Sequence, residues 1–257
     1  MQSAHGETAT VSVFIDAGSR YETDKNNGAS NFLTKMAFKG TKTMSQSQLE
    51  TEIGKIGGQI TARTSREQTV YTAKVFKKNI PKAMEIMSDI LQNPKLDDAV
   101  LSDERDVILA EAEAVRKQND VAIWNHLHET AFMGTGLSNT IHGSEANIRS
   151  LTRGDLQSFI SSQYSADRFV IAAAGAVNHN ELVELTEKHF GALPNHPAGS
   201  LALPFDAAIF TGSDKRIRFD SMGVSLVCNH LFLRKIIDLL LISSSIRKHS
   251  NCLSVDT

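Results

Sequence analysis

The sequence predicts an α+β domain, a mixed β-sheet with helices packed on one face. Three observations point there. Residues 59–76 alternate apolar and polar side chains on either side of a polar turn, as a hairpin does. Residues 169–175, Phe-Val-Ile-Ala-Ala-Ala-Gly, are an unbroken apolar run of strand length, the pattern of a strand buried on both faces, and are expected at the centre of the sheet. Around these strands lie longer stretches with apolar residues at helical spacing.

Taken in order, residues 10–16 are rich in β-branched side chains and close on Ala17-Gly18-Ser19, which reads as a strand. Residues 22–28 are polar and end in Asn26-Asn27-Gly28, a loop. A helix is expected from Ala29 or Ser30, with Ser30 as its cap and Phe32, Leu33, Met36 and Ala37 as its apolar face. Ser45 opens a second helix carrying Leu49, Ile53 and Ile56, and Gly57-Gly58 stops it. Two strands then meet at Ser65-Arg66-Glu67. Pro81 marks the start of a helix whose face holds Ala83, Met84, Ile86, Met87, Ile90 and Leu91. Residues 97–128 are the longest periodic stretch, one or two helices ended before Gly134 and Gly136. Thr152 caps a further helix, and residues 180–190 form the last before Gly191. We divide the chain into a folded unit at 8–194, a linker at 195–222 and a Ser/Cys/Leu-rich tail of different character at 223–257.

Composition removes several classes of function. In 257 residues, 27 Lys and Arg stand against 29 Asp and Glu, a net charge of -2, which argues against a nucleic-acid binder working by a broad basic surface. The two cysteines, Cys228 and Cys252, cannot make a disulfide framework or a four-cysteine zinc site. The run at 231–243 contains Arg234, Lys235 and Asp238 and falls short of the ~20 apolar residues that span a bilayer. Residues 1–7 carry neither a signal core nor an Arg/Ser-rich amphipathic presequence. Gly57-Gly58 and the Gly134/Gly136 pair match no phosphate-binding pattern, and His126 and His128, two apart on a helix, point to different faces.

Two segments carry a family resemblance: residues 27–41, around Asn31-Phe32-Leu33-Thr34-Lys35, and residues 104–111, Glu-Arg-Asp-Val-Ile-Leu-Ala-Glu. With residues 16–22, 64–71 and 210–213 they resemble the pitrilysin-type, inverted-zincin metallopeptidase superfamily. The likeness lies with its branch of mitochondrial processing peptidase β-subunits and first core subunits of ubiquinol–cytochrome c reductase, and it covers about residues 8 to 222. The resemblance implies an α+β half, without its first strand, of a two-half subunit.

Active members carry His-x-x-Glu-His on a helix and a distant Glu. Histidines four apart share a helical face and reach one zinc ion, and the Glu between them takes a proton from the metal-bound water. Here Asn31 and Lys35 occupy the histidine positions, Thr34 occupies that of the general base, and Glu111, with accessory Glu104, matches the distant glutamates. An amide oxygen is a weak zinc ligand, a hydroxyl is no base near neutrality, and an ammonium group repels a divalent cation. No zinc, other cofactor or hydrolysis is therefore expected. Lys35 is expected to pair with Glu111 where the metal sits in active relatives.

The resemblance further implies a structural core-type subunit of respiratory complex III, or a fragment of one, on the matrix side of the mitochondrial inner membrane. Its partner would be a second core- or processing-peptidase-type subunit. The alternative is a zinc-dependent processing endopeptidase β-type subunit that removes presequences. Gln59, Ile60, Thr61, Ala62 and Arg63 form a candidate edge strand for an extended peptide.

Overall fold

The computed structural model describes residues 6–195, together with 209–210, 214–215 and 227–228. Its sheet is built from β1 (Thr8–Ile15), β2 (Gln59–Thr64), β3 (Thr69–Phe76) and β4 (Phe169–Gly175), in the order β2-β3-β1-β4. Strand periodicity decides which side of the sheet is covered. In β1, Ala9, Val11, Val13 and Ile15 are fully buried while the residues between them are partly exposed. The register places Val11 opposite Ala73 and Val13 opposite Tyr71 and Ile171, so apolar partners share that face across three strands. On the other face Ser12 and Thr72 meet through their hydroxyls at 3.0 Å.

Eight helices cover the apolar face or its ends among the described residues: α1 (Ala29–Met36), α2 (Gln46–Lys55), α3 (Ile80–Gln92), α4 (Asp98–Arg116), α5 (Asn119–Ala131), α6 (Glu145–Ser150), α7 (Arg153–Gln163) and α8 (His179–Phe190). Phe32 of α1, Met84, Ile86 and Met87 of α3 and Phe159 of α7 are fully buried in one core with the strands. Ser45 with Gln48, and Thr152 with Asp155, form reciprocal capping boxes at the starts of α2 and α7. The long periodic stretch resolves into α4 and α5, separated at Lys117 and Gln118. The sequence gives too short a signal for α6, which is a six-residue helix capped by Ser144.

The α+β class with helices on one face stands; three details differ from expectation. Every strand pair in the sheet is antiparallel, so the sheet is not mixed. β4 lies at an edge rather than the centre, with Val170 62% exposed and Ala172 and Ala174 exposed beside it. An unbroken apolar run cannot distinguish the two positions, because alanine leaves little apolar area in water and its exposure costs little. Ser30 is not the cap of α1. That place belongs to Gly28, and Ser30 sits inside the first turn. Gly28 takes φ +105, where a Cβ would also stand 2.7 Å from the His142 carbonyl oxygen, so glycine fits here on both counts. The linker and tail expected at 195–222 and 223–257 lie almost wholly outside the described residues; a two-residue antiparallel pair, β5 (Asp214–Lys215) with β6 (Val227–Cys228), is the part described as strand.

Candidate functional site

The site is assembled where α1 crosses α4. A buried carboxylate fixes the start of α1. Glu22 Oε2 accepts from the Gly28 N–H (2.7 Å) and the Asn27 side-chain amide (2.8 Å), and Oε1 accepts from the Ser30 N–H (2.7 Å) and hydroxyl (2.6 Å). Two of the helix's free N–H groups are thereby satisfied from a loop residue six positions earlier. Burial pushes the Glu22 carboxyl above its ordinary pKa, opposed by these four donors.

One turn later come positions 31, 34 and 35. Asn31 is buried, and its amide nitrogen is enclosed without an acceptor. Thr34 is buried too, and its hydroxyl donates to the Asn31 carbonyl oxygen at 2.7 Å, turned back onto its own helix. Lys35 reaches α4, where its Nζ lies 2.9 Å from Glu111 Oε1 and 2.7 Å from Oε2. One turn on, Lys39 Nζ lies 2.5 Å from Glu104 Oε1. Lys39 lies three residues past the end of α1, so one ion pair ties the last turn of α1 to α4 and a second ties the segment that follows α1 to the same helix. The expected Lys35–Glu111 pair is present, and the Lys39–Glu104 pair beside it was not foreseen.

Lys35 and Glu111 are each about one-third exposed, which limits the value of the pair. A double-mutant cycle of Lys35→Met and Glu111→Gln, read by urea unfolding, is expected to give a coupling energy of about 1 kcal/mol, shrinking as salt is added.

His142 also belongs to this neighbourhood. Burial is the main cause of its lowered pKa; Glu111 opposes that shift and Lys35 adds to it, so the ring stands within electrostatic reach of the pair and is neutral at pH 7. Nothing in the sequence pointed to it, because it comes from a loop beyond α5 with no ligand spacing to either helix. His126 and His128 face different ways as expected: the former sits 3.1 Å from Glu129, the latter stacks on Phe132.

A zinc ion does not fit these residues. Of the four positions, one offers a carboxylate, and that carboxylate is bridged by a cation. Among the described residues no group of three or more His, Cys, Asp or Glu is gathered as a metal site. What the arrangement can do is tie two helices together and present an amide and an ammonium at their crossing. Residues 59–63 lie in β2, which is the edge of the sheet; Ile60 is buried while Gln59, Thr61 and Arg63 point outward.

The helix crossing brings positions 31, 34, 35 and 111 of an α+β domain together, with the donor set of an ion pair. Comparison with known proteins gives the family. Residues 1–145 match the family described as insulinase (peptidase family M16), and residues 150–224 match the peptidase M16 inactive domain. The chain is similar to the mitochondrial-processing peptidase subunit beta of Lentinula edodes, at 51% identity over 87% of this chain and 48% of that protein. It is likewise similar to the subunit of that name from Bos taurus, at 49% identity over 85% of this chain and 44% of that protein. Its fold is similar to a protease from Helicobacter pylori, with TM-score 0.70 and 26% identity over 82% of this chain and 50% of that one. The chain belongs to peptidase family M16, the pitrilysin-type family. It spans about half the length of the curated relatives it matches.

Proposed function

We propose that this chain belongs to a processing-peptidase β-type member of its family that has lost hydrolysis, and that it acts in the mitochondrial matrix by docking to a second processing-peptidase-type subunit. The lineage rests on the curated relatives, whose shared name is mitochondrial-processing peptidase subunit beta. Those relatives favour the processing-peptidase branch over the core-subunit branch expected from the sequence, and nothing among them points to respiratory complex III. The loss of hydrolysis rests on one observation: Lys35 Nζ lies within 2.9 Å of both oxygens of Glu111, so a cation occupies the neighbourhood where the family's zinc would need to sit.

The division at 194 and 222 remains part of this reading; the second family match ends at residue 224, near the second boundary, but runs across the first. An extended peptide laid along β2 is compatible with it, since strand addition needs an open sheet edge and no metal.

Metal analysis of the purified chain is expected to find well below one zinc per molecule, with no chelator-sensitive cleavage of a presequence peptide. Stoichiometric tight zinc, or such cleavage, would defeat the reading. Native gels of a tagged chain expressed in mitochondria separate the lineages: migration with a processing-peptidase-type subunit supports the proposal, and migration with complex III restores the core-subunit reading.

A further inference from the structure

The turn between β2 and β3 carries a second polar cluster, on residues that take no part in the α1–α4 crossing. Its backbone is held firmly. The N–H groups of Ser19 and Arg20 donate to the carbonyls of Ser65 and Arg66 at 3.2 and 2.7 Å. Gly18 lets the two segments approach, because a Cβ there would stand 2.5 Å from both carbonyl oxygens. From this support the Arg66 side chain turns to α5, where Nη2 donates to Asn125 Oδ1 at 2.7 Å.

Asn125 is neutral, and no carboxylate among the described residues pairs with Arg66. Its Nε is enclosed with no acceptor. Burial lowers its pKa with no acidic neighbour to oppose the shift. His128, one turn on from Asn125, is partly buried and stacked on Phe132 at 5.5 Å, with an unpartnered Nδ1. Burial, helped by the Arg66 charge, pushes its pKa down to about 4, so the imidazole is neutral at pH 7. Arg66 therefore holds a partly desolvated positive charge whose side-chain hydrogen-bond partner, Asn125, is neutral. Buried cations are ordinarily paired, because a charge without a partner forfeits its hydration for nothing in return.

We propose that Arg66, Asn125 and His128 form a carboxylate-binding site. A guanidinium offers planar N–H pairs that match the two oxygens of a carboxylate. With its oxygen on Arg66, the Asn125 amide keeps two N–H donors, and a neutral imidazole supplies one more. One cation balances one negative charge, so a carboxylate suits the site better than a phosphate dianion, which would leave a net charge in a partly dry place. The carboxylate comes from a small acid or from an acidic residue of a bound polypeptide. The proposal rests on this cluster alone and is independent of the fate of the zinc motif.

The test is a titration of the full isotope-labelled chain, following the Arg66 Nε–H and His128 ring resonances by NMR. One arm adds sodium acetate at constant ionic strength, the other the peptide acetyl-Gly-Glu-Gly-amide. Both sets of resonances are expected to move saturably, and Arg66→Lys, which keeps the charge but not the fork, is expected to weaken binding about tenfold. Asn125→Asp supplies a carboxylate within the chain and is expected to abolish saturation while the protein melts no lower than before. Peptide binding about tenfold tighter than acetate would assign the carboxylate to a polypeptide, and equal binding to a free acid. A wild-type chain that shows no saturable shift up to about 100 mM acetate overturns the site. So does an identical response in Asn125→Asp, or a response to chloride as large as that to acetate.

Discussion

Replacing Asn31→His, Thr34→Glu and Lys35→His together is expected to raise the zinc content of the purified chain from well below one to about one ion per molecule. The geometry for this gain is already in place. Positions 31 and 35 are four apart on α1, and Lys35 shows directly that a side chain from position 35 meets Glu111 across the helix crossing. Lys35→His removes the repelling ammonium and frees the Glu111 carboxylate, while Asn31→His exchanges an enclosed amide for an imidazole. With Glu111 these two groups make three ligands and leave a fourth position open for water.

The partial variants order the argument. Lys35→His alone is expected to bind zinc weakly, since Asn31 contributes little. Asn31→His with Lys35→His is expected to bind it without hydrolysing a peptide, because Thr34 donates its hydroxyl to its own helix and supplies no base. Metal analysis before and after chelation reads each case. A triple variant that melts like the parent and still binds no zinc would show that Glu111 is not aimed at positions 31 and 35, and the structural account of the site would fall with it.

How much of this was legible in the sequence varies with the physics of each feature. The Lys35–Glu111 pair was, because ligands of one ion must lie close together and a substituted pair inherits that proximity. The hairpin, the Ser45 and Thr152 caps and the faces of α1 and α3 were too, since each depends on side chains a few residues apart. Features set by tertiary placement were not. Nothing local tells an edge strand from a central one in residues 169–175, nor a mixed sheet from the antiparallel pairs found throughout. His142 reaches the site from a loop whose path the sequence leaves open. Arg66 looked like an ordinary turn residue, although its side chain is partly buried against α5.

Glu22 is the sharpest case, since a glutamate in a polar loop is ordinarily solvated, yet this one carries the start of α1. Removing it should be costly. Glu22→Ala leaves the N–H groups of Gly28 and Ser30, the Ser30 hydroxyl and the Asn27 amide without their acceptor in a buried place, an expected loss of about 3 kcal/mol or more. In a chain of this size that corresponds to a melting point lower by about 10 °C. Glu22→Gln separates the two effects of burial. It removes the charge, whose desolvation raises the Glu22 pKa, but presents an N–H₂ group to one pair of donors. Since all four contacts to Glu22 are donors, the ionised carboxylate suits the pocket, and the glutamine variant is expected to fall between alanine and the parent at pH 7. The sign with pH follows from the raised pKa. Just above the ordinary carboxylate value the folded chain holds this proton more readily than the unfolded chain, so through this group stability rises as pH falls into that window and declines as pH climbs out of it. Glu22→Gln should flatten that part of the profile. A glutamine variant more stable than the parent at pH 7 would mean that desolvation outweighs the four hydrogen bonds, and that α1 holds its place at the site without its carboxylate cap.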